Sequence, residues 1–246
     1  MNSQLSTESG PTSAPRGLMS RFIGVLVSPR DTFEAVAAHP HWLGMLALTA
    51  GTVALLVGGF LMTTVGQNAW LDQVEAQRAA WGRPMTDEEL QGMERFMPFI
   101  GYMGFAQFLV GVPLIALLLS GIVFGIFSAA LSGSATFKQV FAVAVHAGAV
   151  GVVQQLFTVP LNYFRESLSS PTNLSVFVPM LPEGSFVTRL LGTIDIFLVW
   201  WTIVLAIGVA TLYRRRTTPI LWSFLAVYGV IALTIAAIMS RSGGEG

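Results

Sequence analysis

The sequence predicts an all-α membrane protein: a five-transmembrane-helix bundle with an amphipathic juxtamembrane N-terminal helix. Three observations lead there. Of 246 residues, 53% are hydrophobic and only 11% charged, against about 25% charged in a soluble domain. So few charges cannot cover the surface of a soluble protein this size. The apolar residues also fall in runs of roughly 20 or more, the length that crosses about 30 Å of hydrocarbon. Finally, the stretch "SPRDTFEAVAAHPHW", Ser28–Trp42, stands directly before the first such run and reads as a short helix with a start, a stop and two faces.

The tail, residues 1–17, is polar and rich in proline and serine near its start, the composition of a disordered segment. No basic segment leads into a sufficient apolar stretch, so no cleavable signal peptide is expected and the first span serves as the insertion signal. Residues 18–41 form the juxtamembrane segment. "LMSRFIGVLV" is amphipathic or interfacial. Ser28 is then placed to cap a helix with its hydroxyl, and Pro29 takes the first helical position, where its missing N–H costs nothing. Asp31 suits the helix dipole. Phe33, Val36 and Ala37 share a face, Arg30 and Glu34 lie elsewhere, and Pro40 ends the helix. The pattern describes a helix in the membrane plane, or one packed on the cytoplasmic ends of the spans.

The five-span region covers 42–240. Span one is predicted at 42–65. A charged segment follows, and within it "TDEEL" offers a capping box, with Thr86 as N-cap and Glu89 at the third helical position. Span two, 97–131, contains Pro113 and is too long for one untilted crossing. Two crossings would bury a turn without hydrogen-bond partners, so one long tilted or kinked helix is expected. Span three is predicted at 140–164, span four at 186–213 and span five at 219–239, with a tail at 241–246. No second folding unit or internal repeat is visible. The Arg214–Arg216 cluster in a short loop places the N-terminus in the cytoplasm and the C-terminus outside.

Chemistry-bearing residues are few. Net charge is zero, so no global field draws in nucleic acid. The absence of cysteine removes disulfides, thiolate metal sites and cysteine nucleophiles. No phosphate-binding loop, zinc-protease or hydrolase motif occurs. His39 and His41 flank Pro40, but a surface pair without a third ligand reads as polar decoration. No catalytic residue, cofactor or metal site is therefore assigned, and no enzyme is expected. Lys138 is the one lysine among 13 basic residues, a bias toward arginine that fits a GC-rich bacterial genome and a bacterial inner membrane.

Two ionisable residues fall inside predicted spans, where such groups mark function or a pairing. His146 is expected about 10 Å in from the cytoplasmic side and Asp195 about 12 Å in from the outer side, at about 1.5 Å per residue. Gln154 and Gln155 lie near the depth of Asp195. One reading is a proton or ion relay in a small transporter or channel. The other is a polar clamp, in which Asp195 bonds Gln154, Thr193 or His146 and fixes helix packing. Gly121 and Gly125 form a GxxxG continued by Ala129 and Gly133, Gly51 and Gly58 stripe span one, and Gly148 and Gly151 notch span three; all are expected to serve packing within the chain, with a dimer face as the alternative. Trp222 suits an interfacial anchor, and Trp200-Trp201 suit packing. Asn173-Leu174-Ser175 fits the glycosylation sequon.

The pattern P-x-x-x-F-x-x-V-x-x-x-P, carried by Pro29, Phe33, Val36 and Pro40 before five spans, resembles the Ypt-interacting (Yip) family in its bacterial branch. A second stretch, "SGSATFKQVFAVAV", Ser132–Val145, resembles the family's turn into its third span. The resemblance runs from about Leu26 to Ser240. The family's eukaryotic members are proteins of early secretory membranes with a cytoplasmic N-terminus that bind small prenylated GTPases and each other, and the resemblance implies a cytoplasmic N-terminus here. The Asp-Leu-Tyr-Gly-Pro motif of eukaryotic members has no match, and no catalytic residues carry over. The expected function is a non-enzymatic membrane scaffold whose partners are the lipid bilayer and a membrane protein or second copy, with Pro29, Phe33, Val36 and Pro40 as the docking segment.

Overall fold

The computed structural model describes residues 17–80, 82–130, 133–182 and 184–242. The tails predicted at 1–17 and 241–246 lie outside the described residues except for Gly17, Arg241 and Ser242. Every regular element is helical among the described residues, beside one isolated bridge between Asn173 and Asp195.

Two short helices, α1 (Leu18–Val27) and α2 (Pro29–Ala38), form a hairpin hinged at Ser28. Pro29 holds the first helical position, but the Ser28 hydroxyl makes no cap. Instead the Thr32 hydroxyl donates to the Ser28 carbonyl at 3.0 Å. A Cβ on Gly24 would sit 2.4 Å from Thr32 Oγ1, so a side chain there would force the hairpin open. The apolar face of α2 is not spread on a membrane surface. Phe33 and Val36 are buried, because α2 packs against α7 (Phe137–Ala147) and α10 (Ile196–Leu212).

The first predicted span is α3 (Leu43–Leu61). The charged segment after it holds α4 (Thr64–Ala80) and α5 (Asp87–Glu94). The capping box at the start of α5 forms as expected, with Thr86 and Glu89 bonding reciprocally. Span two is one helix, α6 (Met97–Phe124), running through Pro113 into a π-helical turn, Gly125–Ala130. Span three is α7 followed by α8 (Ala149–Arg165), joined at Gly148. A second capping box starts α7, with Thr136 and Gln139 in the reciprocal roles. The last predicted span is α11 (Thr217–Ser242).

Span four differs from its prediction. It is split into α9 (Phe186–Gly192) and α10, with Thr193–Asp195 non-helical between them. Among the described residues four helices are long and apolar enough to cross a membrane: Leu43–Leu61, Met97–Ser128, Phe137–Arg165 and Thr217–Ser240. α10 is apolar but has 17 residues.

The α7–α8 rod is the centre of the bundle. Val140 through Ala147 are buried without interruption, and Val143 and Val150 pack with Val204 and Val209 of α10. Trp200 and Trp201 pack against the same cluster. By contrast α6 and α11 leave most of their apolar surface exposed.

Of the glycines that the sequence pattern singles out, Gly58 and Gly133 meet neighbouring side chains, whereas Gly51, Gly121 and Gly125 do not. A Cβ on Gly121 or Gly125 would meet nothing within 4 Å, so neither packs inside the chain. The close approach is between α3 and α6. A Cβ on Gly58 would lie 2.8 Å from Phe105 Cβ, and one on Gly101 would lie 2.4 Å from Met62 Cγ and 3.1 Å from the Gly58 carbonyl. Small residues permit this backbone contact, the main means by which helices associate in lipid.

Gly58→Ala and Gly101→Ala should each destabilise the protein by about 1–3 kcal/mol, the usual range for overpacking. Gly121→Ala should leave the melting temperature in detergent unchanged or slightly raised. A second prediction concerns α5. The Thr86 N–H donates to Glu89 at 3.1 Å and the Arg78 guanidinium at 2.9 Å. The Thr86 backbone bond, then Arg78, holds the exposed Glu89 carboxyl below the usual glutamate range. A depressed carboxyl contributes stability above its unfolded value, and the contribution is lost as pH falls through the folded value. Protection of the Glu89 amide from exchange should therefore hold from neutral pH into mild acid and fall only below the ordinary glutamate range.

Candidate functional site

The break in span four is organised by Asp195. Three residues outside the α-helices leave several backbone groups without an α-helical partner, and in apolar surroundings each must find another. Asp195 is the N-cap of α10, and its Oδ1 accepts from the N–H groups of Phe197 (2.8 Å) and Leu198 (3.3 Å). Aspartate is among the best residues for that role because its carboxylate meets the orphan donors of the first turn. Oδ2 accepts from the hydroxyls of Ser170 (2.8 Å) and Thr172 (2.5 Å), and the Gln154 amide of α8 donates to Oδ1 at 3.4 Å. The carboxylate thus ties α8, the 167–178 loop and α10 together.

The surrounding backbone is satisfied by the same neighbours. The Leu174 N–H donates to the Ile194 carbonyl (2.9 Å), and the Ile196 N–H to the Thr172 carbonyl (3.1 Å). From α11 the Tyr228 hydroxyl donates to the Thr193 carbonyl (2.8 Å) and accepts from the Asp195 N–H (3.1 Å). Thr193 therefore joins the knot through its backbone; its side chain bonds Leu190. Asn173 caps a 3-10 turn, Leu174–Phe177, with its Oδ1 accepting from Ser175 and Val176 N–H. Its Nδ2 donates to the Ser170 carbonyl at 3.1 Å. The amide that a sequon would offer to a sugar is thus engaged inside the loop.

His146 stands apart from this knot. It is fully buried on α7, and Nδ1 donates to the Ala142 carbonyl at 2.7 Å. That bond sets the tautomer and leaves Nε2 as a bare acceptor. Nε2 has no hydrogen-bond partner among the described residues. Among the described residues no hydrogen bond joins His146 to Asp195 or to Gln154.

The N-terminal residues take a different place from the one expected of a docking segment. Phe33 and Val36 face inward. The Phe33 ring lies on Gly208 of α10, where a Cβ would come within 3.1 Å of two ring carbons and 2.6 Å of Val143 Cγ1. Pro29 begins α2, Pro40 follows its end, and Arg30 and Glu34 carry the exposed face as an i,i+4 pair at 3.8 Å. Gln139 fastens the end of α2 by donating from Nε2 to the Ala37 carbonyl at 2.9 Å. The T-x-x-Q spacing ahead of span three carries the signal for its cap, though not for this reach.

Residues 23–239 match the Yip1 domain profile. The chain belongs to the Yip1 domain family. The match starts within α1 and ends within α11, so the α1–α2 hairpin and its Gly208 seat belong to the Yip1 domain and are not an appendage to it. No curated protein and no solved structure matches the chain.

Phe33→Ala should cost about 3–5 kcal/mol, the range for emptying a buried aromatic site, read as the fall in thermal stability of the purified protein. Asp195→Ala should cost about 1–3 kcal/mol, since it removes a cap and strands buried hydroxyls. Asp195→Asn should cost much less, because an amide still caps α10 and the Ser170 and Thr172 hydroxyls can turn to accept.

Proposed function

We propose that this Yip1 domain protein is a non-enzymatic membrane scaffold. It presents helix faces in the bilayer to a membrane-protein partner or to a second copy of itself. The observation that supports this reading most directly is the use made of its ionisable residues. Asp195 spends both oxygens on architecture, and His146 is sealed in the bundle without a bonded route to it. What remains available is surface: the outward apolar sides of α6 and α11, with Gly121 and Gly125 open on α6.

In this reading the chain crosses five times, with α10 as the short crossing. Its 17 residues span about 25 Å at about 1.5 Å per residue, the lower limit for a crossing helix. The Arg214–Arg216 loop then lies with the N-terminus in the cytoplasm of a bacterial cell, and the C-terminus lies outside.

A transporter is the competing reading. It draws on a cleft of about 300 Å³ among α3, α6, α8 and α10 that reaches Gln154 and Gln155. Neither Asp195 nor His146 lines that cleft, which leaves it without an ionisable group to couple to. Reconstitution separates the two. The scaffold reading predicts proton flux no greater than in empty liposomes, and an unchanged set of co-purified membrane proteins with Asp195→Asn. A flux that Asp195→Asn abolishes while the fold persists would establish the transporter instead.

A further inference from the structure

The end of the bundle that carries α2 holds a cleft of about 1800 Å³ between α2, the 133–139 turn and the α10–α11 loop. Its lining is strongly basic. Arg30 is offset by its pairing with Glu34, the one carboxylate among the described lining residues. Arg214, Arg215 and Arg216 are exposed, and no side-chain hydrogen bond or ion pair engages them among the described residues.

Arg214 is held in an unusual way. Its φ is +52°, the left-handed region that favours glycine. The Arg215 N–H donates to the Ala210 carbonyl (2.9 Å) and the Arg214 N–H to the Thr211 carbonyl (3.3 Å). This is a Schellman ending to α10, with an arginine where glycine is the usual occupant. A side chain kept in a sparsely populated conformation points to a use beyond ending the helix. Guanidinium groups match phosphate oxygens through paired N–H donors. The hydroxyls of Thr217 and Thr218 line the same cleft.

The surroundings choose the source of the phosphate. Trp222 lines the cleft and is 66% exposed. Beyond it Val227, Val230 and Ile231 continue an exposed apolar surface along α11. A basic pocket at the end of apolar helices, running onto an apolar strip, suits an amphiphile with an anionic head. We propose that this cleft binds the headgroup of an anionic phospholipid bearing at least two negative charges, its phosphates held by Arg214, Arg215 and Arg216 and its acyl chains along α11 past Trp222.

The test uses the full chain in phosphatidylcholine nanodiscs with and without cardiolipin, with retained lipid counted by native mass spectrometry. The wild type should retain cardiolipin in preference to phosphatidylcholine. R215Q/R216Q should weaken that retention about 25-fold, and R214G about fivefold, from the usual contribution of a basic side chain at an anionic surface. Because glycine fits the left-handed position, R214G should keep or raise the melting temperature, which separates lost binding from lost folding. Arg95→Gln, in the α5 segment, should change nothing. Retention that survives both arginine variants, or that falls equally with Arg95→Gln, overturns the site. Inorganic pyrophosphate added to phosphatidylcholine-only nanodiscs tests the source. If it raises the wild-type melting temperature as much as cardiolipin does, and the arginine variants abolish the effect, the ligand is a soluble phosphate and the lipid assignment fails.

Discussion

A helix interrupted in apolar surroundings must give its freed backbone groups new partners, and here one carboxylate organises the repair. Asp195 caps α10 and gathers Ser170, Thr172 and Gln154, while Tyr228 closes the backbone on the other side. α8, the loop that follows it, α10 and α11 are thereby fixed to one another. The same arrangement explains how an acid can be kept in this region, since paired and hydrogen-bonded charge is the form in which a poorly solvated carboxylate is tolerated.

The rest of the bundle is held mainly by close fit. The Phe33 ring on Gly208, the α3–α6 approach at Gly58 and Gly101, and Gly24 against Thr32 all depend on a missing side chain opposite a filled position. The α1–α2 hairpin is therefore a structural plug on the end of the rods. Gln139 locks it by capping α7 and bonding α2 at once. Phe33 and Val36 turn the apolar face of α2 inward, and its outer edge with Arg30 and Glu34 forms one wall of the arginine-lined cleft.

Much of this was legible in the sequence, and the failures have physical causes. Run length located four long apolar helices, and the Thr86–Glu89 spacing located the start of α5. The α2 periodicity identified the face of Phe33 and Val36, but periodicity cannot say whether lipid, a partner or the chain itself covers a face. Span four read as continuous because hydropathy averages over a window. Asp195, an N-cap residue directly before an apolar run, was in plain view within it. Gly58 fits a packing pattern and meets Phe105, Gly121 and Gly125 fit one yet face open space, and Gly101 and Gly208 meet neighbours that only the tertiary fold supplies. Ser170, Thr172 and Tyr228 could not be paired with Asp195 from spacing, because they lie on other segments.

We propose Asp195 as a structural clamp that acts through the Ser170 and Thr172 hydroxyls of the preceding loop. A double-mutant cycle between Asp195→Ala and Thr172→Val, read from reversible unfolding in detergent, measures that link directly. The clamp predicts a coupling of about 1 kcal/mol or more, the range for a hydrogen bond to a charged acceptor. Additive effects of the two substitutions would contradict it and would return Asp195 to the residues whose role has to be sought in transport.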